Sequence, residues 1–165
     1  MSTFKKVRLE LVLPVVFAWF FMSVLVDIIT IPTVFRNSSS IVDAGKIGMT
    51  VFGRFNIFEI IFALVVISGA WVKYRDLKHK IWMFLAIPLV ALSLIYKFYM
   101  TPMITNTTYE IHQTQTSDPQ YAVLQEKHAF YHNSYRKLEY VKLLLLLGLG
   151  GAVLVDRVRN NKEIA

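Results

Sequence analysis

The stretch from Leu9 to Ile31, LELVLPVVFAWFFMSVLVDIITI, is almost entirely apolar and decides how the rest of the chain is interpreted. A helix that crosses a hydrocarbon core about 30 Å thick needs about 20 such residues, so this stretch is long enough to span a bilayer. Lys5, Lys6 and Arg8 precede it, as basic residues precede a secretory signal, but it is too long for one and lacks a convincing cleavage site. We therefore expect an uncleaved membrane anchor.

The composition of the whole chain agrees with a membrane protein. Of its 165 residues, 55% are hydrophobic and 18% are charged, and the mean hydropathy is +0.48, which is more apolar than an ordinary soluble domain. The chain has no cysteine, which excludes a disulfide scaffold, a zinc ribbon, a thiolate-bound iron–sulfur cluster and covalently attached haem.

Three further apolar stretches predict three more spans. The fold class we expect is all-α: an integral membrane four-helix bundle that forms a single membrane domain over residues 1–165. The expected spans are about 9–31, 48–72, 81–103 and 138–156, with an outer polar segment at 105–127.

Two helix start signals lie outside these apolar stretches. Ser40 and Asp43 have the spacing of a capping box, so the second helix is expected to begin several turns before its apolar part. Asp118 followed by Pro119 is a helix start signal as well. A fourth helix that begins there either protrudes from the bilayer or breaks near residues 133–134. We expect helices 2 and 4 to extend beyond the outer membrane face.

The basic residues set the expected orientation. They cluster at three places on one side of the predicted bundle: the N-terminus, the connection 73–80, and the segment 157–162 after the fourth span. By the positive-inside rule, both termini are cytoplasmic, and we expect a bacterial cytoplasmic (inner) membrane. The net charge of +7 is then explained by contact with the lipid bilayer, and nucleic-acid binding loses its support.

Ionisable and hydrogen-bonding residues recur at one depth on all four spans. At about 1.5 Å per residue from each cytoplasmic boundary, they fall about 21 to 26 Å into the membrane, in its outward half. A charge at that depth costs about 2.5 to 3.5 kcal/mol, so these groups should face one another inside the bundle. The layer comprises Asp27, Arg54, Asn56, Glu59, Tyr96, Lys97, Glu139 and Lys142.

Two interpretations of this layer remain open. The acidic and basic residues balance in number, so the layer could be an ion-pair network that fixes the register of the helices. It could also line a cavity, open to the outer side, that holds an ion, a polar small molecule or a cofactor. The two interpretations are compatible, because transport and redox sites are built from paired intramembrane charges.

A histidine pair near the outer rim is a candidate metal site. His128 and His132 are four residues apart and share one helix face, which Tyr135 and Glu139 continue inward. Two imidazoles at this spacing can bind zinc, copper or iron, although Arg136 would oppose a cation. A haem needs axial ligands, and only these two histidines could supply them. A metal ion or haem therefore stays possible.

Short motifs along most of the chain resemble an uncharacterised family of small four-helix membrane proteins. They are Ile31-Pro32-Thr33-Val34-Phe35, Asp43-Ala44-Gly45-Lys46-Ile47, Thr101-Pro102-Met103 and Phe130-Tyr131-His132-Asn133-Ser134. The family includes a transmembrane protein linked to cisplatin resistance, and it is distantly similar to the copper-resistance D proteins, some of whose relatives bind haem. The resemblance implies the four-span topology, hints at metal or haem handling, and carries over His132 as a functional residue.

Three functions follow as hypotheses. The first is a multi-pass membrane protein whose polar layer binds or passes a small polar ligand or a metal ion; its carboxylates would hold a cation or proton. The second is a membrane haem or quinone oxidoreductase. The third is a non-catalytic subunit of a larger membrane complex or a homo-oligomer, in which the charges only lock the helices together.

Overall fold

A computed structural model describes residues 3–77 and 80–162, so Lys78 and His79 of the basic connection lie outside it. In the described part every regular element is helical and no strand occurs. The helices are α1 Thr3–Val24, α2 Ile31–Asn37, α3 Ile41–Leu77, α4 Ile81–Ile95, α5 Thr101–Gln113 and α6 Pro119–Lys162, and π-helical segments at Leu25–Thr30 and Tyr96–Met100 join α1 to α2 and α4 to α5.

These elements form four rods around a square. α1 packs against α3 and α6, and α4 packs against the same two helices, which places α3 and α6 on one diagonal. Lys5 Nζ lies 2.7 Å from Asp76 Oδ2, and Arg157 donates a hydrogen bond of 2.9 Å to the Glu10 carbonyl. The N-terminal helix therefore begins where α3 and α6 end; we name this the termini end of the bundle.

Apolar residues occur on both the inside and the outside of the bundle. The interior contains Trp19, Val66, Leu89 and Leu149, each fully buried, while many large apolar side chains are exposed on the outer surface. A chain that is hydrophobic all round suits a lipid environment. Within residues 3–77 and 80–162, four helices are long and apolar enough to cross a membrane, in agreement with the predicted all-α membrane bundle: Thr3–Asn37, Val42–Asp76, Ile81–Gln113 and Pro119–Arg159.

Both predicted helix starts are confirmed. The Ser40 hydroxyl accepts a hydrogen bond of 3.1 Å from the Asp43 amide, which caps α3. An Asp118 carboxylate oxygen accepts one of 2.8 Å from the Gln120 amide at the start of α6. Because of these starts, α3 has 37 residues and α6 has 44, or about 55 and 66 Å at about 1.5 Å per residue. α6 is unbroken at residues 133–134, and residues 105–113 of the polar segment belong to α5.

Each π-helical segment ends two residues before a proline. The Ile31 amide bonds to the Val26 carbonyl, five residues back, and Pro32 follows. In the same way the Thr101 amide bonds to the Tyr96 carbonyl, and Pro102 follows. Proline has no amide hydrogen and its ring collides with the carbonyl four residues earlier, so the helix widens there. These wider turns carry polar residues of the predicted layer, namely Asp27, Tyr96 and Lys97.

Candidate functional site

The polar layer is centred on Lys142, which lies between two carboxylates. Its Nζ donates to Glu59 Oε1 across the α3–α6 diagonal. It also lies 2.8 Å from Oε1 and 2.6 Å from Oε2 of Glu139, one turn earlier on α6. The side chains of Lys142 and Glu59 are fully buried and that of Glu139 is 7% exposed. The i, i+3 spacing on α6 puts Glu139 and Lys142 on one face, so a single lysine bridges two helices.

Two neighbours complete the hydrogen bonding of Glu59. The Trp19 indole on α1 donates to Glu59 Oε1 at 2.9 Å. The Asn56 amide lies 2.7 Å from the Thr101 hydroxyl; when its oxygen accepts there, its nitrogen donates to Glu59 Oε2 at 3.3 Å. Residues from α1, α3, α5 and α6 thus meet at one carboxylate.

Asp27 brings a third carboxyl group to the same place. It lies in the π-helical segment after α1, one of its carboxyl oxygens is buried without a hydrogen-bond partner among the described residues, and its carboxyl group interacts electrostatically with those of Glu139 and Glu59. Two carboxyl groups can hydrogen-bond to each other only when one of them carries a proton. We name Asp27, Glu59, Glu139 and Lys142 the carboxyl cluster: it contains three acids and one base.

Two tyrosines cover the cluster. The rings of Tyr96 and Tyr135 lie 4.7 Å apart, and the Tyr96 ring is 5.2 Å from Lys142 Nζ, within cation–π distance. Both hydroxyl oxygens are buried without a hydrogen-bond partner in the described part of the chain, and both lie in the electrostatic field of Glu59 and Glu139. Aromatic side chains therefore lie against the cluster on the side of Lys142, Asp27 is half-buried, and the two hydroxyls have spare hydrogen-bonding capacity.

The other two predicted basic residues lie outside the cluster. Arg54 is exposed on the outer surface of α3. At about 100° per residue it lies about 200° around the helix from Asn56, so the two cannot face the same interior. Lys97 is half-buried, and its Nζ donates to the Gly53 carbonyl of α3 at 3.3 Å. Arg54 therefore does not balance the buried acids, and Lys97 lines a separate groove.

This groove lies between α3 and α5, farther from the termini end than the cluster. It has a volume of about 550 Å³ and is open to the surroundings, and its polar lining includes Lys46, Thr50, Lys97, Thr101, Asn106 and Tyr109. Thr101 belongs to both places, because its hydroxyl contacts Asn56 beside Glu59. The groove and the cluster are thus separated by a single layer of side chains.

The histidine pair stands apart from the cluster. The rings of His128 and His132 are 6.0 Å apart on α6; His128 is half-buried and His132 is exposed. Within residues 3–77 and 80–162, no three His, Asp or Glu side chains are grouped so that they could hold a metal ion. A metal site at this pair stays a prediction without support from the geometry.

A second buried ion pair was not anticipated from sequence. Lys73 Nζ lies 3.1 Å from Asp156 Oδ2, with side chains 7% and 10% exposed, and 5.3 Å from the Trp82 ring. Both residues border predicted spans, where charges normally reach solvent, so sequence gave no reason to pair them. The predicted site also lacked Trp19, Thr101 and Tyr135. Side chains of these types within a span usually pack against their neighbours, so the sequence alone did not mark their polar atoms as part of a site.

Comparisons with known proteins name no relative. No family model, curated protein or solved structure matches the chain. The resemblance to the cisplatin-resistance and copper-resistance D proteins therefore stays a prediction, and the function has to be argued from the residues themselves.

Proposed function

We propose that this chain is a multi-pass membrane protein that binds a small cation in the carboxyl cluster, and that the cation is a proton. The observation that carries the proposal is the unequal charge count. Three carboxyl groups meet one ammonium group, and Lys142 is already shared by Glu59 and Glu139. Among the described residues Asp27 forms no ion pair, and the base whose charge acts on it is Lys142, which the two glutamates already share. Excess negative charge inside a membrane is costly and attracts a counter-charge.

A proton satisfies this arrangement better than a metal ion or a larger ligand. One proton held between Asp27 and Glu139 converts two repelling acids into a hydrogen-bonded pair. It needs no extra space, which suits a cluster covered by Tyr96 and Tyr135. A metal ion would need several free oxygen or nitrogen ligands, and the carboxylate oxygens of Glu59 and Glu139 are already engaged with Lys142.

The charge distribution supports an orientation for this site. We place both termini, with the basic termini end, in the cytoplasm of a bacterial cell, and the carboxyl cluster in the outward half of its cytoplasmic membrane. The far ends of α3 and α6 then extend beyond the outer face.

Infrared spectroscopy tests the proposal directly. A protonated carboxyl group has a C=O stretch that is separate from the carboxylate bands. We expect this band in the purified protein at neutral pH, and we expect both Asp27→Asn and Glu139→Gln to remove it. Glu126→Gln, an exposed acid on the same helix, serves as the control and should leave the band unchanged. A folded protein without the band, or a band indifferent to both variants, would refute proton binding.

A structural subunit is the second candidate, and one observation favours it. Lys142 and Glu59 join α3 to α6 with no solvent exposure, as a lock between helices would. If the cluster only locks helices, the charges do not exchange protons, and the protein should co-purify with a larger complex in fixed proportion. The haem or quinone alternative is tested by the visible spectrum of the protein in mild detergent, where a haem absorbs strongly.

A further inference from the structure

The groove between α3 and α5 has the chemistry of an anion site, which goes beyond proton binding. Two lysines line it together with Asn106 and the hydroxyl of Tyr109, and no carboxylate among the described residues belongs to its lining. The hydroxyl of Thr50 already donates to the Lys46 carbonyl, and that of Thr101 contacts the Asn56 amide. Lysine ammonium groups and hydroxyl groups are donors, and they are the groups that proteins use to bind phosphate and other oxyanions. A volume of about 550 Å³ suits a small ligand.

Lys97 is the residue that makes the groove unusual. It lies within a membrane-spanning helix, yet no acid in the described residues forms an ion pair with it, and its contact is the Gly53 carbonyl at 3.3 Å. A cation in such a place normally has an anionic partner. The ammonium group thus lies beside α3 at the groove, where its contact is a backbone carbonyl and not a buried acid.

Lys46 supplies the second positive charge. It projects from the first turns of α3, and its side chain is 61% exposed. Its Nζ forms an ion pair with Asp43 Oδ1 at 3.9 Å. Such an exposed pair is held weakly and is screened by salt. The Lys46 side chain is therefore free to turn towards an anion in the groove.

We propose that this groove binds a compact oxyanion, a phosphate group, between Lys97 and Lys46, with the Tyr109 hydroxyl and the Asn106 amide donating to its remaining oxygens. The phosphate comes either from a free ion or from the headgroup of an anionic lipid, because both present the same oxygens to the same donors. The charged residues of this site are not those of the carboxyl cluster. Thr101 lines the groove and also contacts Asn56, which lies beside Glu59.

Binding measurements on the full chain in neutral detergent test the site. The first probe is inorganic phosphate, titrated by calorimetry. The second is phosphatidylglycerol, measured as the fraction that co-purifies from vesicles mixed with phosphatidylcholine. Lys97→Gln should lower the affinity for whichever probe binds by about tenfold or more, which is the effect of losing a charge-assisted hydrogen bond. Lys97→Arg keeps the charge and should retain most of the binding.

Lys127→Gln is the matched control, because Lys127 is an exposed lysine of α6 that does not line the groove. Loss of phosphate binding on Lys97→Gln and Lys46→Gln, but not on Lys127→Gln, supports a free anion. The same pattern with phosphatidylglycerol alone supports a lipid headgroup. Absence of binding to both probes, or equal binding by all variants, overturns the proposal. The infrared carboxyl band of the same samples reports separately on proton binding.

Discussion

Lys142 on α6 and Glu59 on α3 form an ion pair across the diagonal of the bundle, and neither side chain has any exposure. Helices on a diagonal are not in direct contact through their backbones, so side chains have to fill the centre. Here the filling is charged over one layer and apolar towards the termini end, where Val12, Val66 and Leu149 pack together. The ion pair therefore links the two helices and also belongs to the carboxyl cluster, for which we propose proton binding.

Replacing Lys142 is expected to destabilise the protein more than replacing an exposed lysine does. Lys142→Met leaves Glu59 and Glu139 buried without their base, and breaking a buried pair costs about 3 to 5 kcal/mol. Lys137→Met, on an exposed position of the same helix, should cost less than about 0.5 kcal/mol. The measurement is the free energy of unfolding by dodecyl sulfate in mixed micelles.

The double variant Glu59→Leu/Lys142→Met sharpens this comparison. Replacing both partners with apolar residues removes the unpaired charge, so it should recover part of the stability that the single variant loses. If Lys142→Met is as stable as Lys137→Met, the buried pair contributes nothing and the fold is held by apolar packing alone.

The pair at the termini end gives a second prediction. Lys73→Met should cost up to about 3 to 5 kcal/mol, because it removes the ammonium group that lies 3.1 Å from the buried Asp156 carboxylate. Lys5→Met breaks the pair with Asp76, whose side chains are 35% and 24% exposed, and should cost about 0 to 1 kcal/mol. Equal losses for the two variants in the same unfolding assay would show that Lys73 and Asp156 are solvated.

The predicted layer shows what depth along a helix can and cannot provide. The rise per residue is fixed, so counting brought Asn56, Glu59, Glu139 and Lys142 to one level, where the structure groups them. The depth of a residue along its helix does not tell which side of the helix that residue faces. Arg54 lies at nearly the same height as Asn56 but on the far side of α3, and the sequence pattern of an all-round apolar helix cannot tell the two faces apart.

The π-helical segments were also beyond the sequence argument. Pro14 and Pro88 lie inside α-helices, whereas Pro32 and Pro102 follow π-helical segments, so proline alone is not the signal. In contrast, the four spans and both helix starts rest on local features, namely apolar length and side-chain caps, and these were predicted from sequence.

Close packing of α1 on α3 gives a third prediction. A Cβ added at Gly69 would lie 2.2 Å from Val12 Cγ2 and 2.9 Å from the Arg8 carbonyl oxygen. The backbone atom cannot move aside cheaply, so Gly69→Ala should destabilise the protein by about 1 to 3 kcal/mol, the usual cost of overpacking. Gly45→Ala, on the same helix with nothing within 4 Å, should be neutral or gain up to about 1 kcal/mol from helix propensity. Thermal unfolding in detergent compares them, and a destabilised Gly45→Ala beside an unaffected Gly69→Ala would contradict the α1–α3 packing.

The π-helical segment before Pro32 gives the last prediction, which concerns the direction of α2. Pro32→Ala restores an amide hydrogen that can bond to the Ile28 carbonyl, so the wide turn can tighten into an α-helix. α1 is held by α3 and α6, whereas the main packing of α2 on another rod, in the part of the chain that the structure describes, is against α3, so α2 should be the part that moves. Tightening the wide turn rotates α2 about the helix axis by about 100°, the angle that one α-helical residue covers.

Cysteine cross-linking measures this rotation cleanly, because the chain has no cysteine of its own. A Cβ at Gly48 would contact the Phe35 ring at 3.8 Å, so Phe35→Cys and Gly48→Cys should join readily through a short bifunctional thiol reagent. Adding Pro32→Ala should slow this cross-link by turning residue 35 away from α3. Adding Pro14→Ala instead, inside an ordinary stretch of α1, should leave the rate unchanged. An unaltered rate with Pro32→Ala would mean that packing against α3, and not the proline, sets the direction of α2.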